Sequence, residues 1–298
     1  MSMDPAPAPV RRVRLPSIEL QVAELGQGPP VLLLHGYPQT HRIWRRCAAL
    51  LADRWRLIMP DLRGYGGSAK PDAGPEGAEY SKRRMAADLV ELPDALGIAR
   101  CPVVGHDRGG RVAHRLALDH PDRVAALAVL DILPTRWHAE HPDTDFARTY
   151  WHWGFLAAGD EPLRLIGQDP HGFLRRRLAA WSATPGCFDP GDVHAYEQAF
   201  ADPRCIAATC ADYRAAAGID LDHDRADADR TLAMPVTVLW GRQGFVGRTY
   251  RPLEAWASYA ADLRGGDLPG GHFPAEECPD ATAAAIAAFL SALPTGSG

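Results

Sequence analysis

Cys101-Pro102-Val103-Val104-Gly105-His106-Asp107-Arg108-Gly109 and the run that follows, Gly110-Arg111-Val112-Ala113-His114-Arg115-Leu116-Ala117-Leu118, decide the fold. An apolar run leads into a turn and a helix-like run leads out of it. A strand–turn–helix of this kind is a nucleophile elbow. It needs small residues on both sides of its apex, because the backbone there is strained and tightly packed. Gly105 and Gly109 meet that need, and the apex is Asp107, where a serine is more usual. A carboxylate at the apex can attack carbon and form an ester, so the implied chemistry is covalent hydrolysis in two steps.

Working outward, Val31–Leu34, Arg56–Pro60, Val124–Leu130 and Val236–Trp240 read as buried strands, and Met85–Leu96 and Ala281–Leu293 as helices. Apolar strands alternating with helices imply an α/β fold with a mostly parallel sheet covered on both faces. Ligands of such sheets bind beyond the carboxyl ends of the strands. His35, Asp61, Asp107, Asp131 and the loop at Gly241 all stand there. The stretch 134–230, rich in Trp, His, Arg and Pro and without a convincing strand, reads as a helical cap inserted into the core. The expected organisation is therefore core (1–133, with 1–10 a disordered tail), cap (134–230) and core again (231–298).

Composition narrows the function classes. With 298 residues, 46% of them hydrophobic, the chain can bury one large core. A formal net charge of -5 leaves no basic footprint for nucleic acid, and it would weakly repel an anionic substrate unless local arginines reversed the field. The six cysteines are scattered, with no C-x-x-C pair and no zinc spacing, which fits reduced thiols in a cytoplasmic protein and predicts no metal site. The Pro/Ala-rich start, Met1 to Val10, lacks the long apolar core of a signal peptide or membrane span.

A carboxylate nucleophile needs a base to activate water. His272, in Gly270-Gly271-His272-Phe273-Pro274 before the terminal helix, completes the order nucleophile, acid, histidine. The loop after Trp240 holds no acid, so the carboxylate orienting His272 is expected to be Asp131, at the end of the preceding strand. Ester hydrolysis needs an oxyanion hole, for which the backbone N–H groups of Tyr37 and Arg108 are the expected donors. Arg108 and Arg111, three apart at the start of the elbow helix, share a face beside Asp107 and suit a substrate that carries a carboxylate. Surface ion pairs, with Asp119 or Glu140, are the plain alternative, and Arg115 reads as structural.

Together these residues resemble the fluoroacetate dehalogenases, a branch of the α/β-hydrolase fold. The likeness spans nearly the whole chain after the tail: His35-Gly36-Tyr37-Pro38-Gln39, Asp61-Leu62-Arg63-Gly64-Tyr65-Gly66, the elbow with its two arginines, Val129-Leu130-Asp131-Ile132, Tyr150-Trp151-His152-Trp153, Asp212-Tyr213-Arg214 and Gly271-His272-Phe273. The resemblance implies Asp107 as nucleophile, His272 as base, Asp131 as its partner, and Arg108 and Arg111 as carboxylate ligands. It also implies a halide pocket of His152, Trp153 and Tyr213, a homodimer, and a haloacid substrate turned over without metal or organic cofactor. Gly110, where alanine is as usual, and Gly154 are small departures. Two other readings compete. An epoxide hydrolase would use the same triad with cap tyrosines (Tyr150, Tyr213 or Tyr196) as acids, but the paired arginines would then lack a partner. A non-enzymatic relative on the same scaffold would be expected to break the triad.

Overall fold

The computed structural model describes residues 5–293. Its eight strands form one sheet: β1 (Val10–Arg14), β2 (Glu19–Leu25), β3 (Pro30–Leu34), β4 (Arg56–Pro60), β5 (Cys101–His106), β6 (Val124–Leu130), β7 (Val236–Gly241) and β8 (Leu263–Leu268). The spatial order is β1-β2-β4-β3-β5-β6-β7-β8, with β3 to β8 all parallel and β2 antiparallel to both its neighbours. The interior strands are continuous apolar runs because both faces are buried. In β3, Leu32 and Leu34 enter the core on one face while Val31 and Leu33 enter the core on the other, as the two-residue period of a strand requires. Helices Lys82–Ala95 and Asp107–Asp119 pack together over the first face, and Arg45–Leu51 with Pro279–Ser291 over the second.

Three strands lie outside the expectation from sequence. β1 reads Val-Arg-Arg-Val-Arg and β8 reads Leu-Arg-Gly-Gly-Asp-Leu. Both are edge strands, where charged residues discourage further pairing and the apolar signal is weak. β2 pairs antiparallel with β1 and begins with the polar Glu19. The expected disordered tail over 1–10 is corrected for residues 5–10. Val10 pairs with Ala23, Pro9 O accepts from Glu24 N at 3.1 Å, and Pro5 O accepts from the Arg45 guanidinium. Residues 1–4 lie outside the described part of the chain.

Between β6 and β7 the described residues form eight helices and no strand, from Thr135–Glu140 to Ile219–Ala226. Local sequence explains several of their starts. Asp169-Pro170, Asp189-Pro190 and Asp202-Pro203 each place a carboxylate that accepts first-turn N–H groups, followed by a proline at the first helical position. Among the described residues no helix is long and apolar enough to cross a membrane.

Candidate active site

Asp107 stands where β5 passes into the elbow helix, with φ at +46°. That left-handed backbone is costly for a non-glycine residue and is held by its surroundings. A Cβ on Gly105 would lie 2.6 Å from Gly109 O, and one on Gly109 would lie 2.3 Å from His35 O. Gly109 is therefore needed for close packing of the elbow helix against the end of β3, and Gly105 for close packing of β5 against that helix. Alanine at Gly110 would also be tight, since its Cβ would meet Ile132 Cδ1 and Gly105 O at 2.9 Å. Tyr37 N donates to Asp107 Oδ1 at 2.8 Å, and Asp107 Oδ2 lies 4.0 Å from His272 Nε2. Burial opposes ionisation of Asp107, but the neighbouring His272, His106, Arg108 and Arg111 outweigh it and hold its pKa below the ordinary carboxylate value.

Asp131 closes β6, also at positive φ (+53°). Its Oδ2 accepts from His272 Nδ1 at 2.7 Å, and its Oδ1 from Gly241 N at 3.0 Å. His272 thus carries its proton on Nδ1 and presents Nε2 to Asp107. Burial alone would lower the His272 pKa, but the bond to Asp131 and the charges of Asp131 and Asp107 raise it above the ordinary histidine value. His272 N donates to Trp181 O at 3.1 Å, tying the loop to the helical layer.

The two arginines separate. Arg108 is fully buried and is held by Asp212: Nε donates to Oδ2 at 3.0 Å and Nη2 to the Asp212 carbonyl at 2.9 Å. Tyr65 OH and Lys82 Nζ share that carboxylate, whose pKa is driven far down by the two cations against the opposing effect of burial. Only Arg108 Nη1 is left without a partner. Arg111 has no carboxylate partner among the described residues. Its Nη1 donates to Leu133 O at 3.0 Å and Thr135 Oγ1 at 2.8 Å, and its Nε is buried and unpaired. Burial and the nearby Arg108 push its pKa down to about 10. The surface partners considered for these arginines are engaged elsewhere: Asp119 with Arg83 and Arg115, and Glu140 with Arg136. Arg115 is structural, as expected, and pairs with Asp227 at 2.7 Å.

His152 and Trp153 open helix His152–Ala157, and Tyr213 comes from helix Pro203–Ala217. The three rings gather over the elbow, with Tyr213 5.6 Å from His152 and 6.0 Å from Trp153 between centroids. Arg108 lies 4.2 Å from the Tyr213 ring centre and Arg111 4.6 Å from that of Trp153. Burial takes the His152 pKa down to about 3, so its imidazole is neutral. Asp107, Arg111, His152, Trp153 and His272 line one tight cavity of about 10 Å³.

The alpha/beta hydrolase fold model matches residues 29–279. The chain belongs to the alpha/beta hydrolase fold family. A fluoroacetate dehalogenase from Burkholderia sp is 46% identical over 89% of this chain and 88% of its own. A soluble epoxide hydrolase from Corynebacterium sp. (strain C12) is 36% identical over 85% of this chain and 87% of its own. Among solved structures, a protein from Nostoc sp PCC 7120 assigned to the alpha/beta hydrolases superposes with a TM-score of 0.94 at 46% identity, covering 95% of this chain and 98% of that one.

In this alpha/beta hydrolase several site residues had no part in the sequence reading. Trp181 and His138 also line the cavity, as does Tyr150, assigned a role from sequence only under the epoxide reading. Tyr196, another candidate acid, is directed away, because its OH donates to the buried Glu276 at 3.0 Å. Asp212 was visible within a motif, but its pairing with Arg108 spans 104 residues and has no local signature. His35 and Asp61 organise loops: His35 Nε2 accepts from Leu62 N, while Asp61 accepts from His41 N, Gly67 N and Gln21 Nε2. A second cavity of about 230 Å³ shares Tyr150, Trp181 and His272 with the first and runs to the exposed Gln243 and Arg248. Among the described residues no group of three or more His, Cys, Asp or Glu side chains could hold a metal ion.

Proposed function

We propose that this hydrolase dehalogenates small 2-haloacids, converting fluoroacetate or chloroacetate to glycolate and halide. The observation that carries the reading is Arg111: a buried cation that lines the cavity of Asp107 and has no carboxylate partner among the described residues. A buried cation with no directly paired carboxylate is costly, and an anionic substrate supplies the pairing charge. A neutral epoxide does not, which favours the dehalogenase reading although relatives of both names match most of the chain.

In the first step an Asp107 carboxylate oxygen attacks C2 of the acid from the side opposite the halogen. The C–O bond forms, the carbon–halogen bond breaks, and its electron pair leaves with the halide. Oδ1 is held by Tyr37 N, so Oδ2 is the oxygen available for attack. His152, Trp153 and Tyr213 provide imidazole, indole and phenol groups as donors for the departing ion, most useful for fluoride with its concentrated charge. Arg111, with the spare Nη1 of Arg108, holds the carboxylate.

In the second step His272 Nε2 takes a proton from water, and the oxygen adds to the Asp107 ester carbonyl. The Tyr37 and Arg108 backbone N–H groups stabilise the oxyanion. Collapse expels the glycolate alkoxide, which takes the proton from His272, and Asp107 loses its own new proton to solvent. Alkylation also removes the Asp107 charge that helps hold His272 protonated, so the imidazole becomes a freer base at the stage that needs one.

The test is halide release from fluoroacetate and chloroacetate in parallel, with Asp107→Asn as the control. Release of either halide that disappears in the control supports the reading. No halide from either acid, together with ring opening of an epoxide, would overturn it in favour of an epoxide hydrolase.

A further inference from the structure

His138 lines the active-site cavity, and the reaction written above does not use it. It belongs to helix Thr135–Glu140, whose buried residues are Thr135 and His138. Three residues apart, these two share a helix face. Thr135 Oγ1 is one of the two groups that anchor Arg111 Nη1, so His138 stands one turn beyond that anchor. The ring packs against Phe146 at 4.5 Å and edge-on to Trp153 at 6.0 Å, and Trp153 is the ring over which Arg111 lies.

Neither nitrogen of His138 has a hydrogen-bond partner, although the residue is only 6% exposed. A phenylalanine would fill the same aromatic slot without leaving two polar atoms unpaired, so space-filling does not account for an imidazole here. Burial first, then the charge of Arg111 and the neighbouring His141, push its pKa well below the ordinary value. The ring is therefore neutral, with one N–H to donate. Arg111 Nη1 is already occupied by Leu133 O and Thr135 Oγ1, which leaves part of a bound carboxylate's accepting capacity to other donors.

We propose that His138 is a further substrate-contacting residue, donating its ring N–H to the carboxylate of the bound acid beside Arg111. The proposal rests on the haloacid reading of the site, and it assigns the Arg111 side of the cavity to carboxylate recognition. A neutral donor adds hydrogen bonding there without a third buried positive charge.

The experiment compares His138→Phe and His138→Asn with the unaltered enzyme, using acetate and chloride as separate binding probes and chloroacetate as substrate. His138→Phe is expected to weaken acetate binding and raise the chloroacetate KM about ten-fold or more, the scale of one hydrogen bond to a charged group. The expected kcat stays within about two-fold and chloride binding is unchanged. His138→Asn, which keeps a donor, is expected to recover part of the acetate affinity. Unchanged acetate affinity in His138→Phe would overturn the proposal, as would an equal loss of chloride affinity, which would place the ring on the halide side. If His138→Phe melts below the assay temperature, His138→Leu gives the same comparison. Acetate binding by an enzyme that releases no halide would defeat the haloacid reading while still deciding the role of His138.

Discussion

His106 Nε2 donates to the carbonyl oxygen of His272 at 2.6 Å, so the residue before Asp107 holds the loop that carries His272. A carbonyl can only accept, which fixes the proton on Nε2. Burial, then the adjacent His272, lower the His106 pKa to about 4, so the ring stays a neutral donor through the physiological range. Replacing it with phenylalanine removes this tie and leaves the bond from His272 N to Trp181 O. His106→Phe is expected to slow ester hydrolysis by roughly 10- to 100-fold, the scale of an ångström-sized misplacement. Rapid-quench mass spectrometry would show the ester on Asp107 building up. An unchanged kcat with no ester would mean that the remaining ties of the loop, to Trp181 O, Glu277 and Asp131, suffice.

His272→Asn removes the proposed base but leaves Asp107 and its Tyr37 donor intact. The first step should proceed once and stop. Intact-protein mass spectrometry after incubation with chloroacetate is expected to show one carboxymethyl group per chain, mapped to Asp107 by peptide digestion. The Asp107→Asn protein should show none.

Arg111→Leu separates function from stability. Activity on haloacetates should fall at least about 30-fold in kcat/KM, since truncating one partner of a buried charge pair costs on the order of 2–5 kcal/mol. Stability should move the other way. Holding the guanidinium pKa at about 10 rather than its ordinary 12.5 corresponds to a destabilisation on the order of 3 kcal/mol in the unliganded protein. Even partial relief should raise the melting temperature by roughly 2 °C or more. Scanning calorimetry without substrate checks the sign, and a lower melting temperature would mean that the bonds to Leu133 O and Thr135 Oγ1 outweigh the unpaired charge.

The pH dependence follows from His272. Its pKa is raised in the folded protein, so its favourable contribution to stability is present below the unfolded value and is lost as pH rises through the folded one. For catalysis the imidazole must be neutral, so single-turnover decay of the ester should speed up with rising pH through its pKa. In the ester the Asp107 charge is gone, and that pKa should lie below the value titrated by NMR in the free enzyme. Asp131→Asn should shift the free-enzyme titration downward and slow the decay. A titration that Asp131→Asn leaves in place would show that Asp131 does not govern the base.

Asp212→Ala tests the support beneath Arg108. It leaves Arg108, Lys82 and Tyr65 without their shared acceptor in a fully buried setting. Breaking a buried pair in this way costs about 3–5 kcal/mol, which chemical denaturation can resolve. Asp212→Asn keeps one acceptor oxygen but turns an NH2 donor toward the donors on its other side, so it should recover only part of the loss and fall between the alanine variant and the unaltered protein.

The sequence by itself determined what is local or ordered along the chain. Glycines around Asp107 announce a tight turn, apolar runs announce parallel strands, and the placement of Asp131 and His272 after later strands announces a triad, because strand ends converge on one edge of such a sheet. The edge strands β1 and β8 escaped because their charged and glycine-rich residues carry little apolar signal. Tertiary structure alone decided how two arginines three residues apart are used. Asp212 reaches Arg108 from a helix 104 residues away and pairs with it, while Arg111 bonds to a carbonyl and a hydroxyl, lies over the Trp153 ring and lines the cavity. It likewise turned Tyr196 toward Glu276 and brought His138 into the wall. Periodicity shows which face of a helix is buried, but not what that face meets. The charge partners of a buried group come from distant segments, and only packing selects them.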